Sequence, residues 1–125
     1  MVRPMQNGQG VREPGVLAVV TEIRLRSWVQ VPALLSVSGP LIEHARTLPG
    51  NHRAQPRPTG VRVWCTLTCW DDEAALLAFV HGAPHRQAMQ RSAELSESMR
   101  FARRWWPGRA NALSWPEALG WLAGD

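Results

Sequence analysis

The sequence predicts an α+β domain in the order strand, helix, strand, strand, helix, strand, with a short helix appended. Three features carry that reading. Val61 to Trp70 alternates without a break, with Val61, Val63, Cys65, Leu67 and Cys69 on one face and Arg62, Trp64, Thr66, Thr68 and Trp70 on the other. Asp71-Asp72-Glu73 follows at once and leads into the apolar run Ala74 to Val80, which places acids where a helix N-terminus favours them. Pro49-Gly50 and Pro107-Gly108 break the chain before and after this unit. At 125 residues the chain is one domain's worth, too short for a two-domain enzyme or a large barrel.

Taken in order, residues 1–15 hold Pro4, Gly8, Gly10, Pro14 and Gly15 among polar residues and read as a loose arm. Residues 16–125 read as a single domain. Val16 to Trp28 alternates and forms the first strand, with Val19, Thr21, Ile23 and Leu25 on one side and Val20, Glu22, Arg24 and Arg26 on the other. Pro32 to Leu48 is helical: Pro32 suits a first turn, and Leu34, Leu35, Leu41, Ile42 and Ala45 supply an apolar stripe. Ser38-Gly39-Pro40 either kinks that helix or restarts it. Residues 51–59 carry Pro56 and Pro58, which a central strand cannot hold, so they form a short, irregular edge strand. After Val80, His81-Gly82-Ala83 stops the helix and Pro84 opens another that runs through His85, Met89 and Gln90. Met99 to Trp106 is the last strand. Ser114 caps a terminal helix on which Ala118, Leu119 and Leu122 pack. This order is the split βαβ, ferredoxin-like arrangement, whose sheet carries helices on one face. The other face must be covered or stay wet.

Composition narrows the function. All 14 basic residues are arginine and the formal net charge is +4. They are scattered from Arg3 to Arg109, with only Arg103-Arg104 adjacent, so a solvated basic surface is expected rather than a nucleic-acid partner. The apolar runs are far too short to cross a membrane, and Met1 to Gly15 lacks the apolar core of a signal peptide. Cys65 and Cys69 share a strand face about 13 Å apart, beyond disulfide reach, so reduced thiols in a cytoplasmic protein are expected.

No phosphate loop, nucleophile elbow or His-Glu helix motif is present. His81 and His85 are four apart, but Gly82 and Pro84 lie between them and no third ligand is near, so no metal site is expected. His81 suits an exposed helix end, and His44, beside Glu43 and Arg46, an exposed helix face. His52 stands at a pocket rim at most. His85, at the start of a helix, is the pocket candidate.

At Thr66-Leu67-Thr68-Cys69-Trp70-Asp71-Asp72-Glu73-Ala74-Ala75-Leu76, followed by Phe79 and Ala83-Pro84-His85, the chain resembles a known family. The stretch is similar to the strand-turn-helix block of the dimeric α/β-barrel proteins. These include the antibiotic-biosynthesis monooxygenases, the bacterial heme-degrading monooxygenases and many uncharacterised domains. Arg104-Trp105-Trp106-Pro107 and Ser114-Trp115-Pro116-Glu117-Ala118-Leu119 resemble the ending of an uncharacterised branch, and also that of spheroidene-monooxygenase-like proteins.

The resemblance implies a homodimer whose two sheets pack face to face as a dimeric α/β barrel, with a pocket between each sheet and its helices. It implies a small apolar or aromatic substrate and oxygenase-like chemistry. A heme-binding protein and a non-catalytic ligand-binding module are the alternatives. His85 is then the candidate catalytic residue, and Trp64, Thr66, Thr68, Phe79 and Met89 the candidate substrate contacts. Trp64, Thr66 and His85 are expected around one cavity. Val61, Val63 and Leu67 are expected under the helices, and Trp64, Thr66 and Thr68 toward the barrel interior. No cofactor is expected: His85 and Met89 follow the block, a lone Met is a weak heme anchor, and scattered arginines make no propionate clamp. The chain departs from the aromatic-oxidising pattern in lacking tyrosine, and in Thr68 where many antibiotic-type members have a carboxylate.

Overall fold

The computed structural model describes residues 14–124. The predicted arm, residues 1–15, lies almost wholly outside the described residues. Strand β1 spans Val16–Leu25, and a short 3-10 turn at Trp28–Gln30 leads into helix α1, Val31–Thr47. Strands β2 (Asn51–Gly60) and β3 (Val63–Trp70) form a hairpin. Helices α2 (Glu73–Val80) and α3 (Ala83–Leu95) follow, then strand β4 (Ser96–Trp106) and helix α4 (Trp115–Gly124). The four strands make one antiparallel sheet in the order β2-β3-β1-β4. This is the ferredoxin-like α+β arrangement that the element order predicts.

The boundaries move for local reasons. Helix α1 runs unbroken through Ser38-Gly39-Pro40. Pro40 lies on the exposed side of the helix, where solvent can serve the Ser36 carbonyl that its missing N–H leaves unpaired. Strand β2 is longer than expected, and as an edge strand it accommodates Pro56 and Pro58. Val61 falls in the β2–β3 turn and is 82% exposed, so β3 starts two residues late. Strand β4 starts at Ser96, paired with Leu25 across a register shift.

The sheet divides by parity. Leu17, Val19, Thr21, Ile23 and Leu25 of β1 face α1, α2 and α3, as do Trp64, Thr66, Thr68 and Trp70 of β3. This corrects the expected assignment, since Val63 and Leu67 belong to the opposite face and Trp64, Thr66 and Thr68 to the helix face. The opposite face is not left open. Val16, Ala18, Val20, Leu67, Cys69 and Ala102 are buried there against Ala110, Leu113, Ala118, Trp121 and Leu122. Helix α4 and the segment leading into it therefore cover the face that was expected to need a partner.

Arginines fasten that cover. Arg53 of β2 donates through Nη1 to the Ala110 and Leu113 carbonyls at 2.7 and 2.6 Å. Arg57 lies over the Trp115 ring and Arg104 over the Trp121 ring, each 5.8 Å from the centroid. Arg100, which grips Glu22 on the neighbouring strand with two parallel bonds of 3.0 and 3.1 Å, also reaches the Leu122 carbonyl of α4 through Nη1 at 3.5 Å. Among the described residues, no helix is long and apolar enough to cross a membrane.

Candidate functional site

On β3, Trp64-x-Thr66-x-Thr68-x-Trp70 places large, small, small, large side chains in one line on the helix face. Trp64 closes one end by packing with Ile23, Leu25, Leu34 and Leu95. Trp70 closes the other: fully buried, it stacks on Phe79 with ring centroids 5.1 Å apart. Between them the small residues leave a trough. Thr66 sits beside Thr21, which sits beside Phe101; Thr68 sits beside Val19, which sits beside Arg103. On the roof, Ser38 of α1 and Ala88 and Ser92 of α3 are equally small. The result is a cavity of about 490 Å³ between sheet and helices. That is within the usual size of a small-molecule site.

The walls are mostly apolar: Ile23, Leu41, Ile42, Leu76, Phe79, Val80 and Met89 among them. His85 is the imidazole in this lining. It is half-buried at the first turn of α3, with Gly82 at the helix cap and Pro84 in the first turn. Its ring meets Phe79 edge-on, centroids 4.9 Å apart. Burial pushes its pKa below the ordinary 6.5, and the nearby Val80 backbone partly opposes that. A neutral imidazole has one ring nitrogen that can act as an acceptor.

The structure thus gathers Thr66, Thr68, Phe79, His85 and Met89 around one cavity. Trp64 is not among the lining residues, although it shares their sheet face. Its ring fills the gap among Leu25, Leu34 and Leu95 instead, so the expected trio with Thr66 and His85 is incomplete. Its indole Nε1, like that of Trp70, is buried without a hydrogen-bond partner among the described residues.

Sequence reasoning missed Arg103. Its alternation with Phe101 on the last strand was the available signal, and both residues line the cavity. Ser38 and Ser92 were missed as well, since small polar residues inside helices carry no pattern of their own. His44, expected to be exposed, is half-buried with its ring 6.3 Å from Phe79. His81 is exposed at the end of α2, and His52 pairs with Asp71 at 2.5 Å outside the cavity.

Cys65 and Cys69 lie on the opposite sheet face, buried and reduced. Desolvation pushes the Cys69 thiol up to about 11 and raises Cys65 too, which makes both poor nucleophiles. Among the described residues, no group of three His, Cys, Asp or Glu side chains is placed to hold a metal.

Heme, which the resemblance raises, does not fit the residues present. Two propionates would find a single permanent cation, Arg103, in the lining. Met89, at the position the resemblance gives to the iron ligand, is alone a weak iron anchor.

No family model matches the chain, and no curated protein matches it. Solved structures do. A putative antibiotic biosynthesis monooxygenase from Nitrosomonas europaea superposes with a TM-score of 0.69 at 10% identity, covering 77% of this chain and 94% of that one. A conserved protein from Methanosarcina mazei reaches 0.69 at 14% identity, over 74% of this chain and 93% of its own. A protein of unknown function from Bacteroides thetaiotaomicron, described as a possible oxidoreductase, reaches 0.66 at 14% identity, over 74% and 98%. The chain therefore has the fold of the antibiotic-biosynthesis-monooxygenase-like structures, and identities this low speak to the fold alone.

Proposed function

We propose that the cavity takes a small apolar or aromatic molecule bearing a hydroxyl group, and that the protein acts on it as a cofactor-independent oxygenase. One observation carries the proposal: the imidazole of His85, its pKa lowered by burial, is set into the wall of an otherwise mainly apolar cavity. Oxygenase chemistry is the part that rests on the structural neighbours described as monooxygenases. Phe79, Leu76, Val80 and Met89 would hold the ring, and Thr66 and Thr68 offer hydroxyls to orient it. His85 would accept the hydroxyl proton, a general-base role suited to a group uncharged at neutral pH. The resulting electron-rich anion is a class of molecule that dioxygen oxidises directly. One oxygen atom replaces two hydrogens of a ring CH₂ as a carbonyl, and the other leaves as water.

The test is oxygen uptake with hydroxylated anthrones, which carry the ring CH₂ that the step oxidises. The wild-type protein should accelerate uptake above the rate in buffer, with a quinone or ketone product. His85→Gln should lose about 10²-fold or more of the acceleration while keeping the wild-type circular dichroism. Equal activity in His85→Gln, or no acceleration for any compound shown to bind, would overturn the proposal.

A further inference from the structure

Among the residues that line the cavity, only Phe101 and Arg103 are exposed; the others are buried or half-buried. Both stand on β4, an edge strand, so the cavity opens there. Arg103 is also the one permanently charged residue in the lining. Its Nη2 donates to Glu73 Oε2 at 2.7 Å across the opening, from the sheet to the first turn of α2. Among the described residues, Nη1 and Nε have no partner that competes for them. A guanidinium held by one edge at the mouth of an apolar cavity can grip an anion with its remaining donors. Glu73 then acts as a tether that an incoming carboxylate displaces or shares.

We infer that the ligand is amphipathic: an apolar or aromatic body inside the cavity, and a carboxylate or similar anion at the mouth on Arg103. This rests on the cavity reading of the proposed function and adds the charge of the ligand to it. Arg103 is a binding residue here, away from the base.

The experiment uses the full chain and a neutral fluorescent reporter, N-phenyl-1-naphthylamine, displaced by 2-naphthoate or by its methyl ester. The acid should displace the reporter at least tenfold more effectively than the ester. Arg103→Met, which keeps the apolar stem, should erase that preference and leave reporter and ester binding unchanged. Glu73→Gln should strengthen the acid several-fold by removing its competitor, and leave the ester alone. If the reporter binds but acid and ester compete equally, or if Arg103→Met keeps the preference, the anion anchor is wrong and the apolar cavity stands. If neither reporter nor ester binds, the cavity reading fails and the anchor falls with it.

Discussion

His85 couples two properties: it lines a cavity, and burial lowers its pKa below the ordinary 6.5. Its lowered pKa makes a signed prediction. Between 6.5 and its lower folded value the unfolded chain binds more protons than the folded one, so stability rises with pH across that window. The contribution is whole above 6.5 and is lost as pH falls through the folded value. In His85→Gln that part of the pH dependence should vanish from urea midpoints measured between pH 5 and 7; an unchanged slope would contradict it. If His85 is the base of the proposed oxidation, the rate should rise with pH through an inflection below 6.5 and then level off.

Hemin makes the opposing case at the same residue. Added to the protein, it should give no sharp, shifted Soret band, and a stoichiometric band lost in His85→Ala would revive the heme alternative. His85 could be picked out from the sequence because proline and glycine fix where α3 begins. Trp64 could not be placed, because alternation assigns a side chain to a face but not to a neighbour along it. Arg103 was hidden for a related reason: an arginine beside another arginine reads as solvated surface until the sheet is assembled.

At the scale of elements, the trough comes from β3, whose order of large and small side chains was legible once the face was known. The face was not. Both faces of β3 carry apolar residues, so a period of two could not say which one meets the helices. Short α2 was legible from its cap, where the Asp72 side chain accepts from Ala75 N at 2.9 Å.

The turn into β2 was legible only as a break, and its geometry is now specific. Gly50 has φ +84°, and a Cβ there would stand 2.7 Å from Ala75 Cβ. Its carbonyl accepts from Asp71 N at 2.8 Å, which ties the start of β2 to the start of α2. Gly50→Ala should therefore cost about 1–3 kcal/mol, through a left-handed backbone that a side chain disfavours and through the clash with α2. Urea denaturation measures it. A stability within about 0.3 kcal/mol of the wild type, inside the ordinary scatter of surface substitutions, would contradict the assigned turn.

For the whole molecule, the sequence predicted one sheet with helices on one face and a second face in need of cover. It could not say that the cover is the chain's own terminal helix, since an amphipathic helix reads the same whether it packs on its own sheet or a neighbour's. Trp121 is 6% exposed and sits in that core with Val16, Val20 and Leu67. A homodimer that packs these sheet faces together, as the resemblance implies, requires α4 to move away. Deleting residues 114–125 should therefore make the chain self-associate more strongly than the full-length protein in sedimentation velocity. Identical sedimentation of the two would show that α4 does not mask that face. The central claim is narrower: a hydroxylated aromatic molecule enters the cavity between sheet and helices and meets an uncharged His85. Imidazole proton and nitrogen NMR shifts, followed against pH with and without 2-naphthol, test it most directly. His85 should titrate below 6.5, and its ring signals should move on saturation with 2-naphthol. A His85 that titrates at or above 6.5, or whose signals stay fixed while 2-naphthol is shown to bind, would contradict the account.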